Sequence, residues 1–457
     1  MTATGVTGGG PALPGRLARS LRGAGLSGAS LAGAGAAGAL VSLRAAYPRP
    51  PRAAAPPEGW PPPRPVPQGR LTVAVVLGAS GSVITDALGP FEVFARCPEF
   101  FVYTVSAGPA AMLSGGLAVV PDYSLGDVDA GTVPAPDVVV IPAVVAPAGS
   151  KERPLREWLA RRADRGAHLL GVCAGSRLLA AAGLLDGYRA TSHWSRLKGL
   201  QRSRPQVDWV RGQRYVQDGK ITTTAGVTSG VFGALRLVQQ LAGATEAQRV
   251  GGELAYPGWS LDGPTGIPAQ RPAPRDLASL LAALAPWRRP ALGVGLVEGV
   301  GELDVAAPFE VYASSFAART VPIAAGRTVT TRHGLRLIAA PTDATAPRVD
   351  RLIVPGVHSL DEVDPRLAGL AARRGLCVEL LQADDEFSFD TMLRDLAAHA
   401  DRATAHVTAK SIEYPTGHLH LAGAAWPWRP TTMLALTIAT AIGAVLLPAA
   451  AAHRNRP

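Results

Sequence analysis

Cys173 lies in the run Gly171-Val-Cys-Ala-Gly-Ser-Arg-Leu-Leu-Ala-Ala-Ala-Gly183, directly after the apolar stretch His168–Val172. A thiol between a buried strand and a helix, with small residues on both sides, has the pattern of a nucleophile elbow. Gly171 and Gly175 allow the tight turn, and Gly183 closes the helix. At a helix N-terminus the thiolate is favoured, and a thiol pKa falls from ~8.5 to as low as ~3.5–7.5. The competing reading is a small buried thiol wedged between strand and helix. Cys97 and Cys377 form no CxxC motif and no Cys/His cluster. Three scattered cysteines give neither a disulfide framework nor a zinc site, so no metal and no cofactor is expected. The chain has no HExxH and no GxSxG elbow, and Gly78-Ala-Ser-Gly81 is only a weak echo of a phosphate loop.

The elements that would position Cys173 alternate. Leu71–Leu77 is a continuous apolar run, as expected of a strand buried on both faces. Pro90 opens a helix through Ala95, Phe101–Ser106 and Val138–Ile141 are further strands, and Lys151–Arg165 has helical spacing. Such alternation predicts an α/β fold, a three-layer sandwich with a parallel sheet between helices.

The pattern is written twice. Asp86-Ala-Leu-Gly-Pro-Phe-Glu-Val-Phe-Ala95 returns as Asp304-Val-Ala-Ala-Pro-Phe-Glu-Val-Tyr-Ala313, at an offset of 218. Gly116-Leu117 returns as Gly334-Leu335 at the same offset, Val139–Pro142 as Leu352–Pro355 at 213, and Tyr256-Pro257 as Tyr414-Pro415 at 158. Roughly fifty residues are therefore missing from the second copy, between its third strand and its last helix. The second copy keeps Asp304 but loses the elbow, and Cys377 falls about five residues short of the place of Cys173. The organisation read from this is a leader over 1–46, a Pro-rich spacer over 47–69, a first domain over 70–260, a connection over 261–289 and a degenerate second domain over 290–425.

Gly171–Trp194, GVCAGSRLLAAAGLLDGYRATSHW, resembles the elbow block of the ThiJ/PfpI family, which has the class I glutamine-amidotransferase-like, flavodoxin-like fold. The likeness is nearest to isocyanide hydratase and to the amidotransferase-like domains of AraC-type regulators. Asp86, Thr224–Gly230 and Ala244–Arg249 match further motifs in the family's order. The resemblance implies Cys173 as nucleophile, Asp86 hydrogen-bonded to it as the group that manages its proton, and the Ala174 amide helping to hold developing negative charge. It also implies that the two copies pair within the chain, as separate subunits of the family do. Two departures weigh against catalysis. Ala174 replaces the Thr that follows the Cys in the hydratases, and Ala143-Val144 replaces the Gly-Gly that shapes a backbone oxyanion site. His193, in Thr191-Ser-His-Trp194, reads as a packed, hydrogen-bonded side chain.

The formal charge of +10 sits in the tails, because residues 1–70 carry eight Arg against Glu58, and Arg454 and Arg456 add two more. The remainder is nearly neutral, which predicts no nucleic-acid partner. Thr431–Ala452 is 22 residues without a charge, between Trp426 and Trp428 on one side and Arg454 on the other. That length and those flanks predict a transmembrane helix over 430–452. Gly23–Leu43 is a second, weaker candidate span. A membrane protein with its bulk outside the cytoplasm is the resulting expectation.

Three functions are compatible with these residues. One is a membrane-anchored cysteine enzyme, a hydratase or hydrolase of a small electrophile such as an isonitrile, a carbonyl compound or an amide. The second is a non-catalytic module that binds a small-molecule ligand. The third is a redox-sensing thiol protein.

Overall fold

The computed structural model describes residues 64–284, 289–382, 386–429, 431–436 and 439–440. The leader, most of the Pro-rich spacer and Gly23–Leu43 lie outside them. Strand β1 (Leu71–Leu77) stands in a seven-stranded sheet beside β2 (Phe100–Ser106) and β3 (Val138–Ile141). The sheet continues from β3 through β4 (His168–Gly171) and β5 (Ile221–Thr224), and every pairing is parallel except that of Tyr215–Asp218 with β5. Along β1, Val73, Val75 and Leu77 enter one hydrophobic core while Ala74 and Val76 enter another. Both faces of the strand are thus covered, which is why its sequence is apolar without alternation.

The second copy builds its own sheet. Strands β6 (Ala291–Leu296), β7 (Arg319–Ala324), β8 (Arg351–Val354) and β9 (Val378–Leu380) pair in parallel in the order β7-β6-β8-β9, with Ala340-Pro341 at the edge beyond β7. The same order of counterparts runs through the middle of the first sheet. Among the described residues the second sheet has no counterparts of Tyr215–Asp218 and β5. Strand β9 leads instead to the helix Ser388–His399, so the missing stretch is the elbow and the two strands after it.

Helix α1 spans Ile84–Ala95 and has Pro90 inside it, so it starts six residues before the proline expected to open it. Its first residues, Ile84 to Gly89, are all buried, and this packing outweighs the intrahelical bond that Pro90 cannot donate. The repeat helix α4 (Glu302–Ser315) likewise carries Pro308 internally. Between α1 and α4 in chain order lie the elbow helix α2 (Ser176–Ala181) and the long helix α3 (Ser229–Leu241).

The two copies share one core, in which Leu88 and Phe91 of α1 cluster with Val305 and Phe309 of α4. They also share a ribbon. Ala118–Val120 pairs antiparallel with Arg336–Ile338, with Val119 opposite Leu337. Val119 and Leu337 are repeat counterparts at the 218 offset, so a local two-fold axis relating the copies passes between them.

Among the described residues no helix is long and apolar enough to cross a membrane. This corrects the transmembrane helix expected over 430–452. Of that stretch, helical residues 431–436 are followed only by the described pair 439–440, and the rest lies outside the described residues. A charge-free length is needed for a span but does not make one. Here Thr431, Thr432 and Thr440 add hydroxyls that bond back to the carbonyls of Pro427, Trp428 and Leu436. The membrane location, and the placement of the bulk outside the cytoplasm, are withdrawn with it.

Candidate functional site

Strand β4 ends at Gly171, and the chain turns through Val172 into the short 3-10 turn Cys173–Gly175 before α2 begins. Cys173 has φ of 54°, a left-handed conformation that a non-glycine residue adopts only when its surroundings hold it there. Those surroundings are specific. The Cys173 N–H donates to Thr224 Oγ1 at 3.2 Å, and its carbonyl accepts from Ser176 Oγ at 3.2 Å and Ser192 Oγ at 3.4 Å. Gly175 has no freedom at all, because a Cβ there would lie 2.0 Å from the Ile141 carbonyl oxygen. The backbone of the elbow therefore rests directly on the end of β3.

Asp86 enters from the first turn of α1 and is fully buried. Its Oδ2 accepts from the Ala143 N–H at 3.0 Å, while Oδ1 has no hydrogen-bond partner, so the hydrogen bond to Cys173 that the family resemblance implied is not formed. Burial raises its pKa well above the usual carboxylate range. The Ala143 N–H opposes that rise, and the nearby Glu310 carboxyl adds to it. Cys173 is only 5% exposed. Its thiol pKa is also raised well above normal, first by burial and then by the adjacent Asp86 charge. The Ala174 N–H, bonded to the sulfur, pulls it the other way, and Glu413 and Glu310 push it further up.

The helix N-terminus therefore does not produce a low-pKa thiol. The helix behind the elbow has six residues, too short for its end charge to outweigh desolvation and neighbouring carboxylates. The Ala174 amide serves the sulfur, and the Ala143 amide serves Asp86. Val144 packs its side chain against Gly78, where a Cβ would meet Val144 Cγ1 at 2.5 Å. His193 bonds Ser195 Oγ through Nδ1 and the Ser411 carbonyl through Nε2, both at 2.8 Å, and burial lowers its pKa to about 4. It is a structural link between the copies.

Two site residues escaped sequence reasoning, and both come from the second copy. Glu310, on α4, accepts from the Thr85 N–H at 3.4 Å, one residue before Asp86. The signal for it was present, since Glu310 is the repeat counterpart of Glu92. Glu413 stands in the turn after the helix Arg402–Ser411, with φ of 56°. It lines a cavity of about 390 Å³ between the copies, together with Arg214, Lys410 and Tyr414. Nothing in the sequence around Glu413 marks it.

The equivalent place in the second copy is open. The register of β8 with β9 puts Val378 where Leu169 stands beside β3, and so Gln382 where Cys173 stands. Gln382 and Asp304 line a cavity of about 710 Å³, and Asp304 Oδ1 accepts from Ser388 Oγ at 2.5 Å. Cys377 is exposed, on the far side of β9 from that position. Among the described residues Glu379, Asp395 and His399 approach one another as metal ligands would. Arg351 already pairs with both carboxylates, so a guanidinium fills the place of a cation.

A parallel sheet carrying a left-handed cysteine at an elbow, with a buried acid beside it, defines an α/β protein of the flavodoxin-like, amidotransferase-related class. The chain belongs to the DJ-1/PfpI family, which residues 72–240 match. It is 35% identical over 175 residues to isonitrile hydratase of Pseudomonas putida, covering 37% of this chain and 72% of that one. It is 34% identical over 152 residues to the HTH-type transcriptional regulator CdhR of Pseudomonas aeruginosa, covering 33% of this chain but only 43% of the regulator. Among solved structures, a ThiJ/PfpI family protein from Pseudomonas syringae is 29% identical, with 42% of this chain and 77% of that one covered and a TM-score of 0.37.

Proposed function

We propose that the first copy, residues 70–260, adds water to a small neutral electrophile of the isonitrile class, with Cys173 as nucleophile and Asp86 as proton carrier. The observation that carries this reading is the buried Asp86 carboxyl, which acts electrostatically on the Cys173 thiol and has one oxygen without a hydrogen-bond partner. Burial raises the pKa of both groups and so favours their neutral, protonated forms, which suits a substrate that must first accept a proton.

In this scheme Asp86 protonates the isonitrile carbon, and the sulfur bonds to that carbon while the thiol proton passes to the Asp86 carboxylate. The product is a thioimidate, S–CH=N–R. Water then adds to the same carbon and the C–S bond breaks. This releases the N-substituted formamide and restores the thiol, so the balance is one isonitrile plus one water. An amide substrate is less well served. Its tetrahedral intermediate places full negative charge on oxygen, and removing one oxyanion donor typically costs ~10²–10³ in turnover. The two amides nearest that position are already committed, Ala143 to Asp86 and Ala174 to the sulfur.

The test is formamide production from a panel of small alkyl isonitriles, followed by NMR. Turnover lost in Cys173→Ala and in Asp86→Asn supports the reading, and turnover that survives Cys173→Ala overturns it. A second reading, ligand binding without turnover, is favoured by a thiol held protonated at 5% exposure and by the similarity to a transcriptional regulator. It predicts ligand-induced shifts in melting temperature with no formamide formed. Redox sensing has no comparable support, because it calls for an exposed thiol of low pKa.

A further inference from the structure

The loop Thr224–Thr228 touches the nucleophile on one side and the second copy on the other. Thr224 Oγ1 receives the Cys173 N–H and in turn donates to the Gly226 carbonyl at 3.4 Å. A Cβ on Gly226 would lie 2.5 Å from the Glu413 carboxyl carbon, so the glycine leaves room for that side chain. Thr228 fixes the turn that delivers it. Its N–H donates to the Ile412 carbonyl at 3.2 Å, and its hydroxyl lies 3.1 Å from the Ile412 carbonyl and 3.3 Å from that of Glu413. The carboxylate itself accepts from Ser229 Oγ at 3.5 Å and from the Trp194 N–H.

The repeat supplies a comparison within the molecule. At the 158 offset that relates Tyr256-Pro257 to Tyr414-Pro415, the counterpart of Glu413 is Ala255. Ala255 has φ of 51° against 56° for Glu413, so the same left-handed turn is kept in both copies. Ala255 reaches across the axis into the cavity that holds Asp304 and Gln382. Glu413 reaches across in the opposite direction, against the loop Thr224–Thr228 that holds the Cys173 N–H. The turn is common to both copies, and only the one facing a cysteine carries an acid.

We propose that Glu413 is a positioning residue of the Cys173 site, supplied by the second copy, which controls ionisation of the thiol from the side of the interface cavity. With Glu413 charged, its carboxylate holds the thiol protonated. With Glu413 neutral, the thiol releases its proton more readily. The groups acting on this carboxyl are Cys173 from the elbow and Arg214 and Tyr256 from the first copy, while Arg275 from the connection and His406 and Lys410 from the preceding helix line the same cavity, Lys410 paired with Asp276. Asp86 and Glu310 act on the same sulfur from the α1–α4 side. Burial raises the Glu413 pKa to about 7, with Arg214 opposing, so the control operates in the neutral range. The proposal needs Cys173 only as a titrating thiol and holds whether or not isonitriles are turned over.

The test is the pH profile of Cys173 alkylation by iodoacetamide in the full chain with Cys377→Ser, followed by peptide mass spectrometry. In the Glu413→Gln variant the midpoint moves down, and alkylation at pH 8 rises by about threefold or more, as removing a neighbouring like charge requires. Ala255→Glu, at the counterpart position, leaves the profile where it was. In the protein with Glu413 intact, the logarithm of the rate climbs with a slope below one around pH 7, because ionising Glu413 raises the thiol pKa. This readout remains if Glu413→Gln does not fold. A Glu413→Gln profile superimposable on the parent, a unit slope through pH 7, or a Cys173 that resists alkylation in both proteins overturns the proposal. Loss of isonitrile turnover without any change in the profile would bear on the hydratase reading alone.

Discussion

The Glu92 carboxylate accepts the Leu303 N–H at 2.6 Å, and its repeat counterpart Glu310 accepts the N–H of Thr85, the counterpart of Leu303, at 3.4 Å. Each copy thus caps a buried amide at the start of the other's first helix. The two bonds are related by the same local two-fold that sets Val119 opposite Leu337. A homodimer interface would have this reciprocity by symmetry. Here it is kept inside one chain, although the second copy has lost its elbow.

The two bonds are unequal, which makes them separable. Glu92→Ala leaves the Leu303 amide buried without a partner and removes the shorter of the two ion pairs of Arg96, leaving that with Glu253. An unsatisfied buried amide costs about 1–3 kcal/mol, so urea denaturation is expected to show a loss in that range. Glu310→Ala removes a longer bond and is expected to cost less. Equal losses would mean that the reciprocal caps contribute nothing beyond side-chain packing.

The shared ribbon allows a direct geometric test. Directly opposed residues of an antiparallel pair have Cα atoms about 4.5–5.5 Å apart, within the range a disulfide spans. The double substitution Val119→Cys and Leu337→Cys is expected to form an intrachain cross-link on mild oxidation, detected as a linked peptide by mass spectrometry. Cross-links found only between separate chains would contradict the pairing of the two copies.

Gly175 and Gly230 make a graded pair. Gly175→Ala drives a methyl into the Ile141 backbone oxygen, and backbone at the end of a buried strand yields little. A loss of about 3 kcal/mol and displacement of the elbow are expected, at the upper end of over-packing costs. Gly230→Ala meets side chains alone, Val172 at 2.7 Å and Pro90 at 3.5 Å, and is expected to cost about 1 kcal/mol by the same reasoning. Thermal melts and Cys173 alkylation rates check both.

Asp86 gives the stability curve a defined slope. Its folded pKa is raised above an unfolded value of about 3.9. The folded state therefore keeps a proton that the unfolded chain has already released. Stability from this group is whole below the unfolded pKa and falls as pH rises toward the folded pKa. Asp86→Asn removes that penalty. Melting temperatures at pH 4, 6 and 8 are expected to favour the variant increasingly as pH rises. An advantage independent of pH would show that Asp86 is not held protonated.

Much of the architecture was legible because it depends on local rules. The uninterrupted apolar run Leu71–Leu77 announced a strand covered on both faces, and the repeated Pro-Phe-Glu-Val announced two copies of one design. The Gly-rich segment around Cys173 announced a tight turn bearing a thiol. Pro90 misled because a residue's local preference yields when six buried residues before it extend the helix. The charge-free stretch over 430–452 misled because length is a necessary condition for a span and not a sufficient one.

What sequence could not supply is how the thiol behaves. Elbow spacing predicted an acidified cysteine, but acidity depends on how much water remains and which charges are near. Both were decided when the copies closed on each other, burying Cys173 and bringing Glu310 and Glu413 to it from residues more than 130 positions further along the chain. Residue type and order fix which chemistry is available. Only the packed interface, by removing solvent and setting distances between charges, fixes the protonation state in which that chemistry starts.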